Sequence, residues 1–119
     1  MTHGYYISKA RYVFESAGGN PDNAMALADW AESIHESDDF HLNPRVIVTE
    51  DGAIVATARR IHAPNRASAY YIDATERTRN WGIAGRVADL ALPIIRRRTG
   101  QRVIEVAAAD VCSGAALKM

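Results

Sequence analysis

The sequence predicts an α/β fold, a mixed central sheet flanked by helices in three layers. Three observations predict it. Asn20-Pro21-Asp22 opens an apolar-striped segment as a helix start. Asp51-Gly52 joins two runs that alternate in polarity, which is the strongest short-range hairpin signal. The stretch from Ser68 to Ala107 reads strand, helix, strand, which predicts a right-handed crossover between parallel strands. The order is helix, helix, strand, strand, strand, helix, strand, with a further helix beginning in the last segment.

Tyr5 to Ala17 places Tyr6, Val13 and Phe14 roughly on one helical face and stops at Gly18-Gly19. Its opening, Gly4 to Ser8, also fits a short strand. The second helix takes Asn20 as N-cap and Pro21 as its first residue, with Leu27, Trp30, Ile34 and Met25 as its apolar stripe. Ser37 to Pro44 is a loop. Arg45 to Thr49 and Ala53 to Ile61 are strands, and after a turn at Pro64 a third strand runs from Ser68 to Ala74. Thr75 to Thr78 is a polar loop. A helix comes next, from Gly82 to Arg98, with Pro93 kinking it and Thr99-Gly100 ending it. Arg102 to Ala107 is the fourth strand, and Ala108 to Met119 starts the last helix.

Composition narrows the function classes. At 119 residues with 48% apolar content, the chain is sized for one domain, 1 to 119, with one core. The formal net charge is zero, which argues against bulk attraction to nucleic acid or to an anionic membrane. No apolar run approaches the roughly 20 residues that span a bilayer. Met1 to Lys9 lacks the basic-then-apolar order of a signal peptide, and the lone Cys112 forms no internal disulfide. The expectation is a cytoplasmic protein with neither nucleic acid nor membrane as partner. His3, His35, His41 and His62 have no close ligand spacing, so no metal is expected.

The run Arg79-Asn80-Trp81-Gly82-Ile83-Ala84 carries the chemistry. Placed at a helix start, its free N–H groups and the positive end of the dipole suit a phosphate. Gly82 permits close backbone approach, and Arg79 adds a charged donor. Arg96-Arg97-Arg98 reads as a solvated helix end that complements the dipole, without interleaved aromatics. Trp30 reads as core and Trp81 as partly exposed. His35 reads as exposed, Cys112 as a small core residue, and Arg59 and Arg60 as facing opposite sides of a strand.

Strand order and this loop together resemble the GNAT superfamily of acyl-CoA-dependent N-acyltransferases over roughly residues 10 to 119. That family's signature, Arg or Gln, two residues, Gly, one residue, Gly or Ala, is matched by Arg79 to Ala84. Asp110, Ser113, Ala116 and Leu117 stand where the family has Asn, Ser or Ala, and a Leu-Tyr pair. The resemblance implies that Arg79, Asn80, Trp81, Gly82, Ile83 and Ala84, with Asp110 and Ser113, hold the acetyl-CoA or other acyl-CoA co-substrate. It implies that the backbone from Ile72 to Ala74 pairs with the pantetheine arm, and that the fourth strand splays from the third around the thioester. A small-molecule or peptide amine would be the acceptor, with Tyr71 and Asp73 as the catalytic candidates. Three departures frame the alternative, a non-catalytic member of the fold that acts through protein–protein contact. Leu117 replaces the tyrosine that protonates the leaving thiolate. Tyr70 and Tyr71 stand where many members have a glutamate base. The family's two final strands have no counterpart here. An edge left unpaired by those strands leads to the expectation of a homodimer.

Overall fold

A computed structural model describes residues 3–42, 44–63 and 66–117, with side chains at 39, 61–69 and 113–117 outside the description. Helix α1 spans His3–Ser16 and buries Tyr6, Ala10 and Phe14, which recur every four residues on one face. Its end is a left-handed glycine cap. Gly18 has φ +91°, and the Gly19 N–H reaches back to the Phe14 carbonyl at 2.9 Å. Asn20 caps a single 3-10 turn, Pro21–Asn23, by accepting from the Asp22 N–H at 2.9 Å. Helix α2 then runs from Met25 to His35, one turn later than the sequence suggests, and Leu27, Ala28 and Ala31 are its buried face. Met25 is exposed, because the helix begins at that residue rather than before it.

Four strands complete the sheet: β1 at Arg45–Thr49, β2 at Ile54–Ala63, β3 at Arg66–Ala74 and, after helix α3 (Ala88–Thr99), β4 at Val103–Ala107. Helix α4, Ala108–Leu117, continues directly from β4. The β1–β2 hairpin turns where Asp51-Gly52 predicts it. Gly52 has φ +94°, and a Cβ there would run into the Asn23 carbonyl oxygen.

The sheet order is β3-β2-β1-β4, and each neighbouring pair is antiparallel. This corrects two expectations. The sheet is antiparallel rather than mixed, and β3 and β4 occupy opposite edges instead of lying side by side. Ala74 and Val103 stand at the same end of the sheet, so α3 has to cross from one edge to the other. Its twelve residues span about 18 Å, enough for the three strand spacings of about 4.8 Å each. It touches both β3 and β4. The last helix fixes the partner of β4: α4 packs on α1 and α2, which places β4 beside β1.

Two cores result, one on each face. Val46, Val48, Ile104 and Val106 point toward α1, α2 and α4, where they meet Phe14, Leu27 and Val111. Ile47, Val55, Ala58 and Ile72 point the other way, toward Ala88, Ala91 and Ile95 of α3. Ile83, from the loop before α3, is fully buried in that second core. Each fully buried Val, Leu, Ile or Phe among them contributes about 1.5–3 kcal/mol, so both faces are firmly held.

Candidate functional site

The loop from 75 to 87 is not a helix start. Helix α3 begins at Ala88, with Val87 as its N-cap, four residues beyond Ala84. Gly82 and Gly85 have φ +75° and +78°, and those left-handed residues break the helical path that Ile83 and Val87 suggest by their spacing. The expected Gly82 to Arg98 helix is therefore shorter at its front. The dipole of α3 does not bear on Arg79 to Ala84.

The loop is instead anchored by its own contacts. The Thr78 hydroxyl, fully buried, donates to the Val55 carbonyl at 2.8 Å, and Thr75 donates to the same oxygen at 3.2 Å. Ile83 plugs the core. The Arg86 side chain donates to the Gly82 carbonyl. The Trp81 N–H donates to the Thr78 carbonyl at 2.9 Å, leaving it engaged within the loop.

The outer edge of β3 is occupied as well. The Ile72 N–H donates to the Arg86 carbonyl at 2.9 Å, and the Ile72 carbonyl accepts from Gly85 N–H at 2.8 Å. Tyr71 and Val87 form an isolated antiparallel bridge there. Both outward main-chain groups of Ile72, within the stretch from Ile72 to Ala74 expected to pair with pantetheine, are thus taken by the chain itself. The side chains of Ile72 and Ala74 lie on the α3 side.

The remaining candidates are separated by the sheet. Asp110 is exposed in the first turn of α4, and Ser113 lies on the same helix, while their neighbours Val111 and Cys112 belong to the core shared with α1 and α2. Trp81 and Ile83 belong to the opposite core. Arg79, Asn80, Gly82 and Ala84 are exposed on that α3 side. The structure therefore brings the loop residues together with one another and not with Asp110 or Ser113.

Tyr71 and Asp73 share the face of β3 that looks toward α2. Asp73 is held in a two-pronged pair with Arg59: Nη2 reaches Oδ1 and Nε reaches Oδ2, both at 3.0 Å. The strand register explains it. Thr57 lies opposite Asp73, and Arg59 is two residues along on the same face. Both Asp73 oxygens are thus engaged by Arg59, and any group that uses this carboxylate has to compete with the guanidinium for it.

The pair forms one wall of a cleft of about 210 Å³, whose other walls include Trp30, Ile34 and Leu42. Sequence reading missed this site. It placed Trp30 in the core, whereas the ring is half-buried and borders the cleft. The parity of Arg59 and Asp73 emerges only once the β2–β3 register is known. His35 is likewise half-buried rather than exposed. Its Nδ1 is 2.7 Å from the Tyr6 hydroxyl, and Phe40 meets the ring edge-on. Cys112 is fully buried, and desolvation pushes its thiol up to about 11, which suits a core residue and not a nucleophile. Among the described residues, no helix is long and apolar enough to cross a membrane.

No protein-family model, no curated protein and no solved structure matches this chain.

Proposed function

We propose that this chain is a non-catalytic domain that acts through contact between proteins, with the β4 edge as its joining surface. One observation carries the reading. β4 ends the sheet, and no strand lies beyond it among the described residues. The Glu50 N–H donates to the Arg102 carbonyl, and Ala108 N–H to the Pro44 carbonyl, so the even-numbered residues of β4 face β1. The N–H and C=O groups of Val103, Glu105 and Ala107 therefore point away from the sheet. An antiparallel match with a second copy satisfies them and gives a homodimer with a continuous eight-stranded sheet.

Glu105→Pro tests this directly. Proline removes an outward N–H and leaves the bonds to β1 in place. Light scattering is expected to give a dimer for the native chain and for Glu105→Ala, and a monomer for Glu105→Pro. A native monomer at working concentration overturns the joining surface.

The other reading is transfer of an acyl group from acyl-CoA to an amine. It is favoured by one observation: the exposed Arg79 lies in the same loop as Gly82, whose left-handed backbone leaves open space around its Cα. Titration with acetyl-CoA while following thermal unfolding separates the two. The contact reading expects no shift at millimolar ligand, and a saturable rise of several degrees would restore the acyltransferase reading.

A further inference from the structure

Net charge of zero hides a segregation. Residues 1–43, which build α1, α2 and the turn after it, carry two basic against seven acidic residues. Residues 75–99, which build the loop and α3 on the opposite side of the sheet, carry six arginines and only two acids, Glu76 and Asp89. The fold turns this difference along the chain into a difference between faces.

All six of those arginines are exposed. Arg77, Arg79 and Arg86 lie in the loop, and Arg96, Arg97 and Arg98 end α3. Elsewhere several guanidinium groups are partnered: Arg11 with Asp22, Arg45 with Glu105, and Arg59 with Asp73. Among the described residues, none of the six enters an ion pair, although Arg77 lies near enough to the Asp51 carboxylate to help hold its pKa down. The loop and the helix end form one surface, because the Arg98 guanidinium lies 5.9 Å from the centre of the Trp81 ring. The helix dipole explains Arg96 to Arg98, but not Arg86, which sits just before the positive end of α3.

We propose that this α3 face binds the phosphodiester backbone of nucleic acid. The cations are all arginine, whose planar fork matches a phosphate in two-point contact. Their number and spread suit a partner with regularly repeated anions. An anionic lipid surface calls for an apolar stripe among the cations, and on α3 Leu90 is the one large apolar residue that stands exposed. Trp81, half-buried beside Arg98, adds a ring face at the margin of the patch. The proposal is independent of the β4 joining surface. If that surface also forms, the two copies are related by an axis perpendicular to the sheet, so both arginine faces look the same way.

The test is fluorescence anisotropy of the full chain with a labelled 30-base-pair duplex and a 30-nucleotide single strand, at several salt concentrations. Binding that weakens steeply between 50 and 200 mM salt is expected. Each phosphate contact contributes about −0.9 to the slope of log K against log salt for duplex. The variant Arg96→Gln/Arg97→Gln/Arg98→Gln is expected to lower that slope by about 2–3 and the affinity by at least tenfold at 50 mM salt. Arg77→Gln/Arg79→Gln is expected to act in the same direction. Lys9→Gln, on the acidic side, is expected to change nothing. Unchanged thermal unfolding shows that the variants are folded. The proposal is overturned by absence of binding to both nucleic acids at 50 mM salt, or by binding that neither arginine variant weakens. It is also overturned if the face binds only phosphatidylserine vesicles, or only a second copy of the chain.

Discussion

The guanidinium of Arg45 lies over the ring of Tyr70, 3.8 Å from its centroid, although a strand separates β1 from β3. The strand between makes this reach feasible. Arg45 pairs in register with Ala58, and Tyr70 pairs with Arg60, two residues along β2. The single methyl of Ala58 leaves a channel that the arginine and the ring close from either side. Glu105 anchors the far end of the guanidinium at 3.0 Å. Ala58→Leu is expected to fill the channel and separate the two, lowering stability by about 1–3 kcal/mol. A double-mutant cycle of Arg45→Met and Tyr70→Leu is expected to give a coupling of about 0.5–1 kcal/mol by urea unfolding.

Gly52→Ala tests the hairpin turn. The position has φ +94°, and the new methyl group would meet the Asn23 carbonyl, which is backbone and cannot swing away. A loss of about 2–4 kcal/mol is expected in urea, well beyond the usual cost of alanine at a left-handed residue. Gly100→Ala, with φ +67° and open space around it, is the matching control at about 1 kcal/mol.

Ile83→Ala tests what holds the loop before α3. Its side chain is fully buried and ties the loop to the core beneath α3. A loss of about 2–4 kcal/mol is expected. The amides of Ile72 and Gly85, bonded across the β3 edge, are expected to exchange with deuterium faster than those between β1 and β2. Equal slowing or acceleration of both sets would show that the loop and sheet open as one unit.

The Asp51 carboxylate sets an acid limit. Hydrogen bonds from Thr49, Gln101 and the Ala53 N–H hold its pKa below the ordinary 3.8. Its contribution is therefore complete above the unfolded value, and it is lost as pH falls through the depressed folded one. The urea midpoint of the native chain is expected to exceed that of Asp51→Asn at pH 7. The gap should narrow below pH 3.8. His3 runs the other way: its pKa is raised by the Glu32 carboxylate, so its contribution is present below 6.5 and fades as pH rises through the folded value.

Local signals in the sequence placed the elements well. Asp51-Gly52 turns because Gly52 supplies the one positive φ that this connection needs. Gly18-Gly19 and Gly100 end helices for the same reason. The sheet order was not legible, since strand–helix–strand fits both a parallel return and a crossing to the far edge. Only the docking of α4 on α1 and α2 decides between them, and those contacts lie about 80–100 residues apart in sequence. Ile83 and Val87 misled for a related reason. Their spacing fits a helix, but Gly82 and Gly85 adopt left-handed angles, and Ile83 is buried from a loop. The Arg59–Asp73 pair depended on a register that no short stretch encodes.

The closure of the β3 edge by Gly85 and Arg86 limits how far the molecule can grow. A sheet with two exposed edges has two adhesive sides and stacks edge to edge without end. Here the loop takes both outward groups of Ile72 on one side, and among the described residues no strand covers β4 on the other. If β4 joins two copies as proposed, pairing through that edge alone gives each copy a valence of one and stops at two. Removing the loop's hold on Ile72 raises the valence to two, and with it the route from a closed pair to a fibre.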